Sequence, residues 1–325
     1  MAWLYLLGGL ALLAMGGELL VRGAVRLAER MGVSPLLIGL TLVGFGTSTP
    51  ELVASLQASF AGSPGIAVGN IVGSNIANIL VILGLAALIA PVTVSSRALG
   101  RDGVLVLGTA VLFALLGVAD GLGRVAGLVF LLGLAAYIAY AWRQEGAAAA
   151  GAGDGHTAAF DRAEAFDAAH PALHKPSPPW VSLGLALAGL VLVVLGGGLL
   201  VDGAIGVARG LGISETVIGL TIVAVGTSTP ELVTSLVAAL RRQSDVALGN
   251  VLGSNIYNIL GIGGMVGLVA PTPIPAEIAR FDSLVMVAVS LLVLAFARSG
   301  MRIGRREGGM LLAGYGVYVW MIWPA

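Results

Sequence analysis

The sequence predicts an all-α membrane protein of ten transmembrane helices, arranged as two inverted-topology repeats of five. Three observations predict it. Apolar residues make up 58% of the 325 residues and charged ones only 10%, with a mean hydropathy of +0.99, which no soluble core requires. About ten segments approach the ~20 apolar residues that a helix needs to cross a bilayer. The chain also repeats itself at a constant offset of 180 residues.

The first half offers spans near residues 2–21, 33–60, 66–90, 103–119 and 123–142. The second offers 180–201, 213–240, 246–270, 282–297 and 308–323. Their Leu, Ala, Val and Gly run continuously, unlike the short alternating segments of a β-barrel. The first run has no basic leader and carries Glu18, so it reads as a retained span rather than a cleaved signal. The absence of cysteine excludes disulfides and thiolate metal sites. The expected organisation is a first repeat at 1–142, a cytoplasmic linker at 143–179 and a second repeat at 180–325. The linker is rich in Ala, Gly, Pro, Asp and His and reads as solvated chain. Within it, "AAFDRAEAFDAAH" has the pattern of a short amphipathic helix.

Charge fixes the orientation. With the N-terminus outside, alternate loops place Arg22, Arg26, Arg30, Arg97, Arg101, Arg143, Arg162, Lys175, Arg241, Arg242, Arg298, Arg302, Arg305 and Arg306 inside. Only Arg124, Arg209 and Arg280 then lie outside. Cytoplasmic loops carry the excess of Lys and Arg, so both termini are expected outside a cell (inner) membrane.

Residues 16–91 align with 196–271 without a gap, and about 33 of the 60 positions from Gly32 to Pro91 are identical. "GTSTPELVASL" at 46–56 answers "GTSTPELVTSL" at 226–236, and "GNIVGSNIANIL" answers "GNVLGSNIYNIL". Five spans per copy is an odd number, so the second copy enters the membrane from the opposite side. Inverted repeats with Gly/Pro-interrupted helices at matching places are the signature of a secondary transporter with a midplane site.

The repeated motifs concentrate oxygen. Pro50 and Pro230 break their helices and are expected to free carbonyls around Gly44 and Ala224. Thr47, Ser48, Thr227 and Ser228 stand at the same level, and Glu51 and Glu231 follow one turn later. The next span adds Asn70, Ser74 and Asn78 at i, i+4, i+8, answered by Asn250, Ser254 and Asn258. An all-oxygen donor set suits hard cations such as Ca²⁺ or Na⁺ rather than Zn²⁺ or Cu²⁺. Two facing carboxylates without a cation repel one another; a divalent ion neutralises both. The plainer alternative is that Ser, Thr and Asn merely bridge helices and that each Glu pairs with an Arg. No Lys or Arg falls within spans 2, 3, 7 or 8 near the glutamates, and paired intramembrane carboxylates point to function.

These paired motifs resemble the α-repeats of the sodium/calcium exchanger family in its compact prokaryotic form. The resemblance covers both repeats and implies a ten-helix fold whose spans 2, 3, 7 and 8 form the cation sites. It puts the family's ligands on Gly44, Thr47, Ser48, Glu51, Ser74 and Asn78, and on Ala224, Thr227, Ser228, Glu231, Ser254 and Asn258. It also makes spans 1 and 6, with Gly16-Gly17 and Gly196-Gly197-Gly198, the long helices that slide across the core. The implied activity is electrogenic Na⁺/Ca²⁺ antiport by alternating access, with the two ions as substrates, the lipid bilayer as surroundings and no cofactor. The chain departs from some prokaryotic relatives in having asparagine at both 78 and 258, which leaves the glutamates as the titratable groups. H⁺/Ca²⁺ exchange is the alternative, and a cation channel fits less well with an inverted duplication. Hydrolysis at Ser48 or Ser228 lacks a nearby general base, since all three histidines lie in the linker. No GxxxxGK[ST] loop exists for an ATP-driven pump, and neither nucleotide nor nucleic acid is expected as a partner.

The orientation is directly testable. Alkaline phosphatase fused after the last span is expected to be active, and the same enzyme fused within 143–179 inactive. The reverse pattern would refute the loop assignment.

Overall fold

The computed structural model describes residues 1–32, 44–94, 99–118, 121–149, 157–170, 178–298 and 300–323. Nearly all of these are helical. Among them, six helices are long and apolar enough to cross a membrane, and a pair bent by 49°, counted as one span, makes seven. The first part of the second expected span, 33–43, lies outside the described residues.

Two long helices form one flank: α1 (Ala2–Arg30) and α8 (Pro179–Leu211). They run antiparallel and meet along glycines spaced seven apart, 9, 16 and 23 on one and 189, 196 and 203 on the other. A Cβ at Gly16 would lie 2.8 Å from the Val193 nitrogen and 2.9 Å from the Gly189 carbonyl oxygen. Backbones this close require small residues, the device by which membrane helices associate without a hydrophobic driving force.

The centre is built from matched pieces of the two halves. In the first half, α2 (Gly44–Thr47) turns into α3 (Thr49–Phe60), followed by α4, a rod over Pro64–Ile89 with a π-helical stretch at Asn78–Leu83. The second half follows α8 with α9 (Glu215–Thr227) and α10 (Thr229–Leu240). Then α11 (Ser244–Ile256) continues through a π-helical stretch at Tyr257–Gly263 to Gly264–Val269. The rods α4 and α11 are enclosed almost all round, whereas α1 and α8 keep a broad apolar surface outward, as lipid-facing helices do.

The outer helices are α5 (Val104–Val118), α6 (Arg124–Ala149), α12 (Ile278–Arg298) and α13 (Arg305–Ile322). Two short antiparallel bridges tie the halves at their rims: β1 (Val92–Thr93) to β2 (Arg302–Ile303), and Leu122 to Thr272. The offset of 180 residues carries the first bridge onto the second to within a residue, so the duplication is visible in the pairing as well.

One element differs from the sequence expectation. The linker reads as solvated, yet α7 (Ala158–Ala169) lies inside the bundle with Ala158, Ala159, Arg162, Ala165 and Phe166 buried. The reason is tertiary: Asp102 and Tyr137 receive its first amides, and its small residues lie against the glycines of α11, so that even Asp161 and Arg162 are buried. His156 and His174 lie outside the described residues.

Replacing Gly16 by leucine should force the long helices apart. Overpacking of this kind costs about 1–3 kcal/mol, read as a lower thermal midpoint in detergent. An unchanged midpoint would mean that the seam tolerates bulk.

Candidate cation site

The site starts at the two helix breaks. Ser48 (φ −88°, ψ 8°) and Ser228 (φ −78°, ψ 11°) interrupt the helices, and Pro50 and Pro230 restart them within the first two positions. Hydroxyls at the breaks take up carbonyls there. Thr49 Oγ1 donates to the Phe45 carbonyl at 3.0 Å and Thr229 Oγ1 to Gly226 at 2.7 Å. The carbonyls of Gly44 and Ala224, expected to be free, are engaged. Thr47 Oγ1 donates to Gly44 O at 3.4 Å. Ala224 O accepts from Ser228 N at 3.1 Å, Thr227 Oγ1 at 3.3 Å and Ser74 Oγ at 3.4 Å. The helical ladder therefore survives one residue beyond Thr227 and takes up acceptors that the sequence left open.

Glu51 and Glu231 occupy the first turns of the restarted helices, 1% and 2% exposed. The halves interlock around them. Ser228 Oγ donates to Glu51 Oε1 at 3.0 Å, and Ser48 Oγ to Asn258 Oδ1 at 3.5 Å. Asn78 Nδ2 donates to Asn255 Oδ1 at 3.0 Å, joining α4 to α11 at the level of the π-helical stretches. Thus Thr47, Ser48, Glu51, Ser74, Asn78, Thr227, Ser228, Glu231, Ser254 and Asn258, with Gly44 and Ala224 behind them, are all buried in the central helices.

Asn70 and Asn250 have a different job. Asn70 Nδ2 donates to the Glu51 carbonyl at 3.1 Å and to Ser55 Oγ at 2.9 Å. Asn250 Nδ2 reaches the Glu231 carbonyl at 3.0 Å, Thr234 Oγ1 at 2.8 Å and Ser235 Oγ at 2.7 Å. Each is a clamp that holds the backbone under its glutamate. Thr227 Oγ1 also lies 3.0 Å from Asn70 Oδ1, so its one proton is shared between that oxygen and the carbonyls of its own turn.

Five oxygens at this level are buried without a hydrogen-bond partner: Glu51 Oε2, Glu231 Oε2, Asn75 Oδ1, Asn78 Oδ1 and Ser254 Oγ. Buried acceptors are seldom left so, because each costs its full desolvation penalty. Their all-oxygen chemistry is of the kind that could hold a dehydrated hard cation. Among the described residues no three His, Cys, Asp or Glu side chains group together, so the carboxylate count is two and the remaining donors are neutral.

Sequence reasoning missed Arg162. Its Nη2 donates to Thr47 Oγ1, to Ser48 Oγ at 2.7 Å and to Glu231 Oε1 at 3.1 Å. Its guanidinium lies 4.8 Å from the centre of the Tyr257 ring, a cation–π contact. The spans indeed lack Lys and Arg near the glutamates; the cation comes from the linker. The available signal was an arginine on the same helical face as Ala158 and Phe166, four residues from each.

The family model for the sodium/calcium exchanger protein matches residues 1–143 and 181–323. The chain belongs to the sodium/calcium exchanger family. It is 38% identical over 338 residues to the sodium/calcium exchanger MaX1 of Methanosarcina acetivorans, covering 96% of each chain. It is 36% identical to the inner membrane protein YrbG of Escherichia coli, covering 98% of this chain and 95% of that one. Among solved structures it is similar to the sodium-calcium exchanger NCX_Mj soaked with Na⁺ and Sr²⁺, at 35% identity and a TM-score of 0.64, covering both chains completely. Membership of the exchanger family makes this chain a multi-pass membrane antiporter, and the matched segments flank the linker on either side.

Asn250→Leu should remove the buried amide that Glu231 O, Thr234 Oγ1 and Ser235 Oγ share, while Thr234 keeps its bonds to the Pro230 and Glu231 carbonyls. Loss of a buried donor costs about 1–3 kcal/mol, so the thermal midpoint should fall and Ca²⁺ should protect the protein less against heating. Unchanged values for both would remove the clamp.

Proposed function

We propose that the chain exchanges Na⁺ for Ca²⁺ across the membrane by alternating access, through ten spans arranged as inverted repeats at 1–142 and 180–325. The observation that carries this reading is the convergence of Glu51 and Glu231, one from each half: Ser228 bonds Glu51, and one Arg162 nitrogen reaches both Ser48 and Glu231, with partnerless buried oxygens around them. One Ca²⁺ balances two carboxylates, and several Na⁺ ions exceed them, so exchange moves net charge.

The ligands in this reading are Glu51, Thr47, Ser48, Ser74 and Asn78, with Glu231, Thr227, Ser228, Ser254 and Asn258, backed by the backbone at Gly44 and Ala224. The hydroxyl-rich turns suit dehydrated Na⁺, and that favours Na⁺ over H⁺ as the coupling ion. The names of MaX1 and NCX_Mj as sodium/calcium exchangers point the same way. The long helices α1 and α8, held together by their glycine seam, are in this reading the pair that slides across the core to alternate access.

Tracer Ca²⁺ uptake into proteoliposomes tests the coupling. With pH equal on both sides, an outward Na⁺ gradient should drive uptake, and a pH gradient alone should not. Uptake that follows pH and ignores Na⁺ would establish the proton-coupled alternative. Glu51→Gln and Glu231→Gln should each abolish uptake in protein that still elutes as a single folded species. Near-normal transport by either variant would remove that carboxylate from the site.

A further inference from the structure

We propose that the linker helix α7 is a tethered competitor of the transported cation, with the guanidinium of Arg162 as its ligand. The inference rests on the exchange reading above and adds an occupant that this reading does not contain. Arg162 touches a threonine hydroxyl, a serine hydroxyl and a glutamate oxygen, drawn from both halves. These are the groups assigned to a metal ion. A guanidinium and a cation cannot share Glu231 Oε1, Ser48 Oγ and Thr47 Oγ1, so binding of one excludes the other.

The contact has the form of a displaceable ligand rather than a permanent ion pair. Arg162 is fully buried, yet its Nε and Nη1 have no hydrogen-bond partner and only Nη2 is used. A structural arginine normally satisfies its fork bidentately, and burying a charge that is only partly paired is costly. The Glu231 carboxylate likewise keeps Oε2 unpartnered. Exchange of this half-made pair for a fully coordinated cation is therefore favoured when the cation is abundant.

The rest of the helix is received by a fitted bed. At its N-terminus, Ala158 N donates to Asp102 Oδ2 at 3.0 Å and Ala159 N to the Tyr137 hydroxyl at 3.2 Å, while Thr157 caps Phe160 N. Asp102 is held in turn by Arg101 Nη2 at 2.9 Å. A carboxylate at the first amides of a helix is a favourable pairing. Along its length, α7 lies on the small-residue face of α11. A Cβ at Gly253 would lie 2.9 Å from the Ala158 carbonyl and 3.2 Å from the Arg162 Cδ. On the equivalent face of α4, a Cβ at Gly73 would meet Ala224 Cβ at 2.8 Å, so both rods present a glycine face that takes a close neighbour. Ala165 packs with Ala238, Val246 and Ala247, and Phe166 with Val21 and Val25 of α1. Phe166 and His170 also wall a cavity of about 280 Å³ that reaches Thr47 past Glu18 and Pro50. Withdrawal of α7 would open that cavity onto the site.

Two measurements test the competitor. In tracer Ca²⁺ uptake driven by Na⁺, Arg162→Ala should lower the half-saturating Ca²⁺ concentration. If the site is free of the arginine about a tenth of the time, the shift is about tenfold. Uptake that is present and identical in wild type and Arg162→Ala overturns the competitor alone. Absence of Na⁺-dependent uptake in both overturns the exchange reading beneath it. The second measurement uses the cysteine-free chain with Ala165→Cys and Ala238→Cys. Oxidation should form a disulfide in cation-free protein, saturating Ca²⁺ should suppress its formation, and the locked protein should regain transport on reduction. A disulfide yield indifferent to Ca²⁺, or full transport while locked, refutes the competition.

Discussion

Two carboxylates in a dry interior must have their charge met, and the rest of the molecule follows from how that is done. An isolated buried carboxylate is untenable at neutral pH unless it is paired, hydrogen-bonded or neutralised. Each glutamate stands in the first turn of a half-helix, where the amide ends favour negative charge. Each has an asparagine gripping its own carbonyl, so the backbone beneath the charge is immobile. What these devices leave over is two oxygens with no donor. The protein has stabilised the carboxylates just short of completion, with Arg162 paired to one oxygen of Glu231 and Ser228 to one oxygen of Glu51.

Helix breaks within hydrocarbon obey the same logic. A lipid-exposed interruption would strand polar backbone, so breaks survive only where protein encloses them. Here α4 and α11 do the enclosing, and Thr47, Thr49, Thr227 and Thr229 turn their hydroxyls back on the carbonyls at each break. The hydroxyl-rich turns thus serve two ends, satisfying the backbone on one side and facing the carboxylates on the other. That double service explains why the Ala224 carbonyl is engaged by three donors although the sequence pattern suggested an open acceptor.

Much of this was legible because duplication gives every signal twice. A single "GTSTPEL" inside an apolar run is a curiosity, but its recurrence at a fixed offset locates two breaks, two carboxylates and two asparagine rows. Periodicity also placed Asn70, Ser74 and Asn78 on one face of a rod, and that is where they lie. What composition concealed was α7. Its surroundings of alanine, glycine and proline read as solvated chain, and a twelve-residue helix with one arginine on its apolar stripe gives a weak moment. Its burial depends on Asp102, Tyr137 and the bare face of α11, all distant in sequence. No local pattern encodes a receptor of that kind. The clamping role of Asn250 was hidden for a related reason, since an amide spaced as a ligand is also spaced as a brace.

The seam between α1 and α8 has a mechanical consequence. Glycines recurring every seventh residue alternate with the buried Leu6, Leu13, Val193 and Leu200, so each helix is notched where the other's backbone settles. A shift of one or two residues would set a side chain where a notch must be, and the next matching register lies two turns away, about 10 Å. The two helices are keyed to one another and form a single rigid strut.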